Sequence, residues 1–130
     1  MPAAHILAVD DETELTELMA YTLRKAGHAV STAATGCEAL TEIARQRPDL
    51  ILLDLMLPDL DGFSVCEILR RDPATATIPI IIISAWASSD SRNLGLELGA
   101  LDYLTKPFSP RELVQRVNRF TAVRADRAAN

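Results

Sequence analysis

Five strand patterns alternating with five helix patterns predict an α/β protein: a doubly wound, five-stranded parallel sheet with five helices over both faces and right-handed crossovers. Two observations carry this beyond the alternation itself. Residues 50–55 (LILLDL) and 79–84 (PIIIIS) are short, nearly continuous apolar runs, the pattern of strands buried on both faces. Most helical stretches are bounded by capping residues, glycine or proline, so the boundaries are written into the chain.

His5–Asp10 (HILAVD) is an apolar strand ending in acids. Asp11 opens a helix with a D-x-x-E start (Asp11, Glu14), and Leu15, Leu18, Met19, Thr22, Leu23 and Ala26 give it one inward face. Gly27 stops it, and 29–34 form a weaker strand. Thr35 and Glu38 make a second capping box, with Ala39, Leu40, Ile43 and Ala44 as the buried stripe. Pro48 ends that segment and the central strand follows. Gly62 starts a third helix, with Phe63, Val65, Ile68 and Leu69 facing inward and Asp72-Pro73 breaking it.

The β-branched run 79–84 must be central to the sheet. Residues 85–99 form a short fourth helix with Leu94 and Leu98 on one face, although Gly95 costs it about 1 kcal/mol against alanine. Residues 101–105 are the last strand. Ser109-Pro110-Arg111-Glu112 combines a capping box with proline at the first helical position, and Leu113, Val114, Val117 and Phe120 follow as a buried face. This gives one domain over 1–123 and a frayed tail over 124–130.

A chain of 130 residues buries about two-thirds of its unfolded surface, enough for a single core. The net charge of −5, from 13 basic and 18 acidic residues, argues against nucleic-acid binding by this chain alone. No apolar run approaches the ~20 residues of a membrane span, and no signal peptide is visible. Cys37 and Cys66 lie in apolar helical patterns without metal-ligand spacing. They read as small buried hydrophobes of a reducing cytoplasm.

Asp54 is the anomaly: a carboxylate near the end of a buried strand is costly unless it finds charge partners or leaves the sheet to bond loop amides. In open α/β sheets ligands bind at the carboxyl ends of the strands. The first strand ends in Asp10, Asp11 and Glu12, the third in Asp54, the fourth in Ser84 and the fifth in Lys106. Singly, each could be a capping acid, a strand-end hydroxyl or a turn lysine. Together they bring carboxylates, a hydroxyl and an ammonium to one edge. Clustered carboxylates suit Mg²⁺, and an Asp nucleophile beside Mg²⁺ and a lysine suits phosphoryl transfer.

The motifs VDDE, ILLDLMLPDLDG, IIISA and DYLTKPFSPREL resemble those of the receiver domains of two-component response regulators, over residues 5–122. The resemblance implies a flavodoxin-like sheet of strand order 2-1-3-4-5. It also implies that Asp54 is the phosphoacceptor and that Asp10 and Asp11, with Asp54 and the backbone carbonyl of Met56, hold Mg²⁺. Ser84 would bond the phosphoryl group, Lys106 would bind it through a cis bond to Pro107, and Tyr103 would be the aromatic switch that turns inward behind Ser84. The phosphoryl group would come from a sensor histidine kinase or a histidine phosphotransfer protein. The output would pass to an effector protein or domain through the face of the fourth helix, fifth strand and fifth helix. Such a chain signals, and is not an enzyme beyond forming and losing its own phosphate.

Arg92, Glu97, Asp102, Glu112 and Arg116 resemble the charged set through which receivers dimerise on that face, but Leu101 and Val123 depart from it. Any homodimer is therefore expected to be weak or phosphorylation-dependent. Met56 and Trp86 would stand at the pocket mouth, where bulky apolar groups hinder hydrolysis. The rival is a haloacid-dehalogenase-like, Mg²⁺-dependent phosphatase. That family places D-x-D at the end of its first strand and inserts a cap, and neither feature is visible here.

Overall fold

The computed structural model describes residues 4–86 and 88–129, with side chains described as far as Thr121. The elements alternate without exception: β1 (His5–Val9), α1 (Thr13–Lys25), β2 (Ala29–Ala33), α2 (Gly36–Arg45), β3 (Leu50–Leu53), α3 (Gly62–Arg71), β4 (Ile80–Ser84), α4 (Ser89–Glu97), β5 (Asp102–Thr105) and α5 (Pro110–Ala129). All neighbouring strands pair in parallel, in the order β2-β1-β3-β4-β5. This is the architecture the alternation and the resemblance predict. The order reverses between β1 and β3, so the crevice at that switch point opens beside Asp10 and Asp54.

Two apolar layers cover the sheet. One packs α2, α3 and α4 against alternate residues such as Leu7, Ile51, Leu53 and Ile82; the other packs α1 and α5 against Ile6, Leu50, Leu52, Ile81 and Ile83. Period-2 alternation along β1, β3 and β4 feeds both layers, which is why these strands read as unbroken apolar runs. The outer edge of β2 is guarded: the Arg24 guanidinium donates to the Val30 carbonyl at 2.9 Å.

The structure corrects several local expectations. Helix α1 begins two residues after Asp11; Glu12 is its N-cap and makes no side-chain cap, so the Asp11–Glu14 box does not form. Its buried residues are Thr16, Met19, Ala20 and Leu23, whereas Leu18 and Ala26 are exposed. Ala44, Ile68 and Leu94 are exposed as well. Cys66 is buried, and burial pushes its thiol up to about 12, but Cys37 is exposed at the start of α2. Helix α5 runs from Pro110 to Ala129. The Val123 side chain lies outside the described residues.

The Ser109–Glu112 box forms as read, and Thr35 caps α2 through its hydroxyl. Thr35 Oγ1 accepts from the Glu38 N–H at 3.0 Å, and Ser109 and Glu112 bond reciprocally at 3.1 and 3.3 Å. Helix α4 buries Gly95 alone. A Cβ there would stand 2.6 Å from Ile82 Cδ1, the far end of a flexible side chain, so this short helix lies close on the sheet at that point.

Candidate functional site

The carboxyl edge of the sheet gathers the predicted residues. Asp10 and Asp54 follow directly on β1 and β3, and their amides still belong to the ladder: Asp54 N donates to the Val9 carbonyl at 3.0 Å and Asp10 N to Ala33 at 3.1 Å. Both residues are almost sealed, at 2% and 4% exposure, while Asp11 is exposed. Carboxylate oxygens of Asp10, Asp11 and Asp54 all lie within 4.8 Å of one another. Three such acids form a hard, oxygen-only donor set, the kind that suits Mg²⁺ with waters completing its shell.

Lys106 answers the two buried acids. Its Nζ donates to Asp10 Oδ2 at 2.7 Å and to Asp54 Oδ2 at 3.2 Å, with Glu12 Oε1 at 3.7 Å. The remaining oxygens are held by backbone: Glu12 N–H donates to Asp10 Oδ1 at 2.9 Å, and Met56 N–H to Asp54 Oδ1 at 3.3 Å. Both readings of Asp54 thus hold together, since it has charge partners and a loop amide. Burial, and then the neighbouring Asp10 carboxylate, raise the Asp54 pKa; Lys106 only partly offsets them. Burial alone would lower the Lys106 pKa, but the Asp10 and Asp54 carboxylates outweigh it and the net shift is upward.

Ser84, fully buried, closes β4 on the other side of Asp54. The Lys106 N–H donates to the Ser84 carbonyl at 2.8 Å, which fixes the lysine and the hydroxyl at one spacing, and the Lys106–Pro107 bond is cis. Tyr103 is buried, with its ring beneath the Arg92 guanidinium 5.4 Å from the centroid and its hydroxyl donating to the Trp86 carbonyl at 2.5 Å. Met56, at 53%, and Trp86, at 42%, stand exposed on the loops after β3 and β4.

Some contributors have no sequence signal of their own. Asp59, in the loop after Asp54, accepts from the Gly36 and Cys37 amides at 2.8 and 2.9 Å, tying that loop to the start of α2. The Cys37 thiol and these amides lower the Asp59 pKa, and the carboxylate raises that of Cys37. Asp61 caps α3 through the Ser64 N–H, and a Cβ on Gly62 would meet the Asp54 carbonyl at 2.5 Å and Leu55 Cα at 2.7 Å. The D-L-D-G run is therefore a built turn beneath the acids.

On the α4-β5-α5 face the charged set is partly spent within the chain. Arg116 pairs with Asp102 at 2.9 Å and Glu112 caps Ser109, while Leu94, Leu96 and Leu101 are exposed. Beside the acids, a groove of about 460 Å³ runs between α1 and the segment after β5, lined by Leu15, Leu18, Pro107, Phe108 and Leu113, with Glu12 and Lys106 at its rim. No helix among the described residues is long and apolar enough to cross a membrane.

A flavodoxin-like α/β domain with an acidic, lysine-bearing site at the switch point of its sheet is the class that fold and geometry define. The chain belongs to the response regulator receiver domains, whose family model matches residues 6–118, and so to the two-component systems. It is 49% identical over 112 residues to the alkaline phosphatase synthesis transcriptional regulatory protein PhoP of Bacillus subtilis. That match covers 86% of this chain and 46% of PhoP. It is 47% identical over the same length to the phosphate regulon transcriptional regulatory protein PhoB of Pseudomonas aeruginosa, covering 86% of this chain and 49% of PhoB. The chain thus spans about half the length of these relatives. Among solved structures, the receiver domain of Francisella response regulator 1452 superposes with a TM-score of 0.86 at 37% identity, covering 92% of this chain and 97% of that one. The chemotaxis response regulator CheY4 of Vibrio cholerae does so with 0.86 at 33%, covering 90% and 98%.

Proposed function

We propose that this chain is a phosphoacceptor switch: Asp54 takes a phosphoryl group from the phosphohistidine of a sensor histidine kinase or a histidine phosphotransfer protein. The observation that carries the reading is the placement of a nearly sealed Asp54 carboxylate 3.2 Å from Lys106 Nζ, with the Asp10 and Asp11 carboxylates within 4.8 Å. An oxygen of Asp54 attacks phosphorus, the phosphorus–nitrogen bond breaks, and the electron pair leaves with the imidazole. Lys106 sits where it can hold an oxygen of the phosphoryl group, and the Ser84 hydroxyl can hold another.

Asp10, Asp11, Asp54 and the Met56 carbonyl would hold Mg²⁺, which supplies positive charge to the phosphoryl oxygens when bound. The donor's own surface would rest in the apolar groove beside α1, whose rim residues Glu12 and Lys106 flank the acids.

An aspartyl phosphate adds about −1.5 to −2 charges at this edge, as phosphorylation does elsewhere. Ser84 and Tyr103 then act as a two-state element whose balance changes the α4-β5-α5 face presented to an effector. Any homodimer through that face is weak or phosphorylation-dependent. The chain works in the cytoplasm, with the receiver within 1–123, and turns over only its own phosphate. Intact-mass spectrometry after incubation with a small phosphodonor tests the core of this reading. One phosphoryl adduct is expected, lost in EDTA and in Asp54→Asn; an adduct that survives Asp54→Asn defeats it.

A further inference from the structure

Trp86, the chain's one tryptophan, lies between the two residues proposed to switch. Its backbone N–H donates to Ser84 Oγ at 3.1 Å, and its carbonyl accepts from the Tyr103 hydroxyl at 2.5 Å. Ser84 and Tyr103 are both buried, so neither hydroxyl can exchange its bond for bulk water cheaply. One residue therefore holds both hydroxyls.

What holds that residue is its ring. The indole lies beside Phe63, with centroids 6.4 Å apart and planes tilted by 30°, inside the range where aromatic pairs attract. Phe63 belongs to the first turn of α3, which is tied down beside the acids. Asp61 caps that turn, and the Gly62 N–H donates to the Leu55 carbonyl at 3.0 Å. Gly62 also packs so closely on the Asp54 carbonyl that no Cβ fits there. The segment after β4 thus leans, through one aromatic contact, on the turn that also supports Asp54.

We propose that Trp86 is a positioning residue: seated on Phe63, it sets the position from which its backbone couples Ser84 to Tyr103. This rests on the reading of Ser84 and Tyr103 as the switch. Removing the ring contact leaves Trp86 tied only through its backbone to the Ser84 and Tyr103 hydroxyls, and its carbonyl no longer stays where the Tyr103 hydroxyl needs it. Tyr103 then spends more time away from its buried position. Asp10, Asp54 and Lys106 keep their partners, because none of those bonds runs through Trp86.

The chain has two tyrosines, and Tyr21 is exposed, so acetylation by N-acetylimidazole reads Tyr103 burial against an internal reference. With peptide mass mapping, Trp86→Ala and Phe63→Leu are each expected to raise Tyr103 modification relative to Tyr21 by about fivefold, the population change that loss of one aromatic pair produces. Trp86→Phe is expected to restore the protection. Unchanged Tyr103 protection in both Trp86→Ala and Phe63→Leu overturns the proposal. Trp86 is half-exposed on a loop, so its alanine variant tests the point even if Phe63→Leu unfolds, which circular dichroism monitors. The phosphoryl adduct on the wild-type chain, measured alongside, keeps two failures apart. Its absence defeats the phosphoacceptor reading, whereas the acetylation ratio alone judges the coupling through Trp86.

Discussion

The two sides of the sheet's carboxyl edge are built to different standards. Asp10 and Asp54 extend strands whose every side chain but one is buried, and α1, which packs behind them, sinks Thr16, Met19, Ala20 and Leu23 into the core. Across the edge, α4 buries only Gly95 and leaves Leu94 and Leu96 in water. On the proposed reading, acids that meet one phosphorus atom need placement to a fraction of an ångström, which dense packing supplies. If the α4-β5-α5 face answers one added phosphoryl group, as proposed, it can carry only a few kcal/mol of its own, because the signal has no more to give.

Two buried glycines offer the sharpest way to break that comparison. A Cβ at Gly62 meets backbone, the Asp54 carbonyl and Leu55 Cα, which cannot yield without moving the site. Gly62→Ala is expected to cost about 3 kcal/mol or more in urea unfolding, the upper range for forced overpacking. A Cβ at Gly95 meets chiefly the far end of the Ile82 side chain, and alanine brings about 1 kcal/mol of helix propensity. Gly95→Ala is expected to change stability by no more than about 1 kcal/mol, the smallest effect in this set. Equal costs at the two positions would show that both sides are packed alike.

Between these extremes stands the charge of the acidic side. Mg²⁺ at a hundred times its dissociation constant should stabilise the chain by about 2.7 kcal/mol, a gain that EDTA or Asp10→Asn removes. Differential scanning fluorimetry reads this directly, and an equal gain in Asp10→Asn would place the ion elsewhere.

The pH dependence is smaller. The Asp54 pKa is raised in the fold, so the folded chain keeps that proton to higher pH than the unfolded one. Its contribution makes stability fall as pH climbs from about 4, the unfolded value, through the raised native value. The Lys106 pKa is also raised, so its contribution is present below about 10.4 and is lost as pH rises through its native value. In EDTA at pH 7, Asp54→Asn should melt above wild type by about 2–4 °C. The gap should close as the pH drops below about 4; one that persists there would put its cause outside the carboxylate's charge.

Much of this was legible in the sequence, because parallel strands announce their ends. An apolar run that stops at an acid, a hydroxyl or a lysine marks a carboxyl edge, and Asp10, Asp54, Ser84 and Lys106 all stand at such stops. Helix faces were less legible. Leu18 fits the inward spacing of α1 as well as Thr16 does, but it faces the groove beside Phe108 while Thr16 donates to the Thr13 carbonyl and is buried. Asp11 stands in the D-x-x-E pattern and yet joins the acidic cluster, leaving Glu12 as the helix boundary. Cys37 reads as core by period, but Asp59, 22 residues away in sequence, comes to it at the surface. The seat of Trp86 on Phe63 likewise joins the loop after β4 to the first turn of α3, which no local pattern connects.

The guanidinium of Arg24 on the Val30 carbonyl bears on how such a chain survives crowding. An uncovered outer strand offers a free row of donors and acceptors to any neighbour with a matching row, and stacked sheets grow from that encounter. A charged group seated on one of those acceptors turns a sticky border into a poor template. On that side the sheet then resists pairing with a neighbouring strand, and its contacts fall to its other faces.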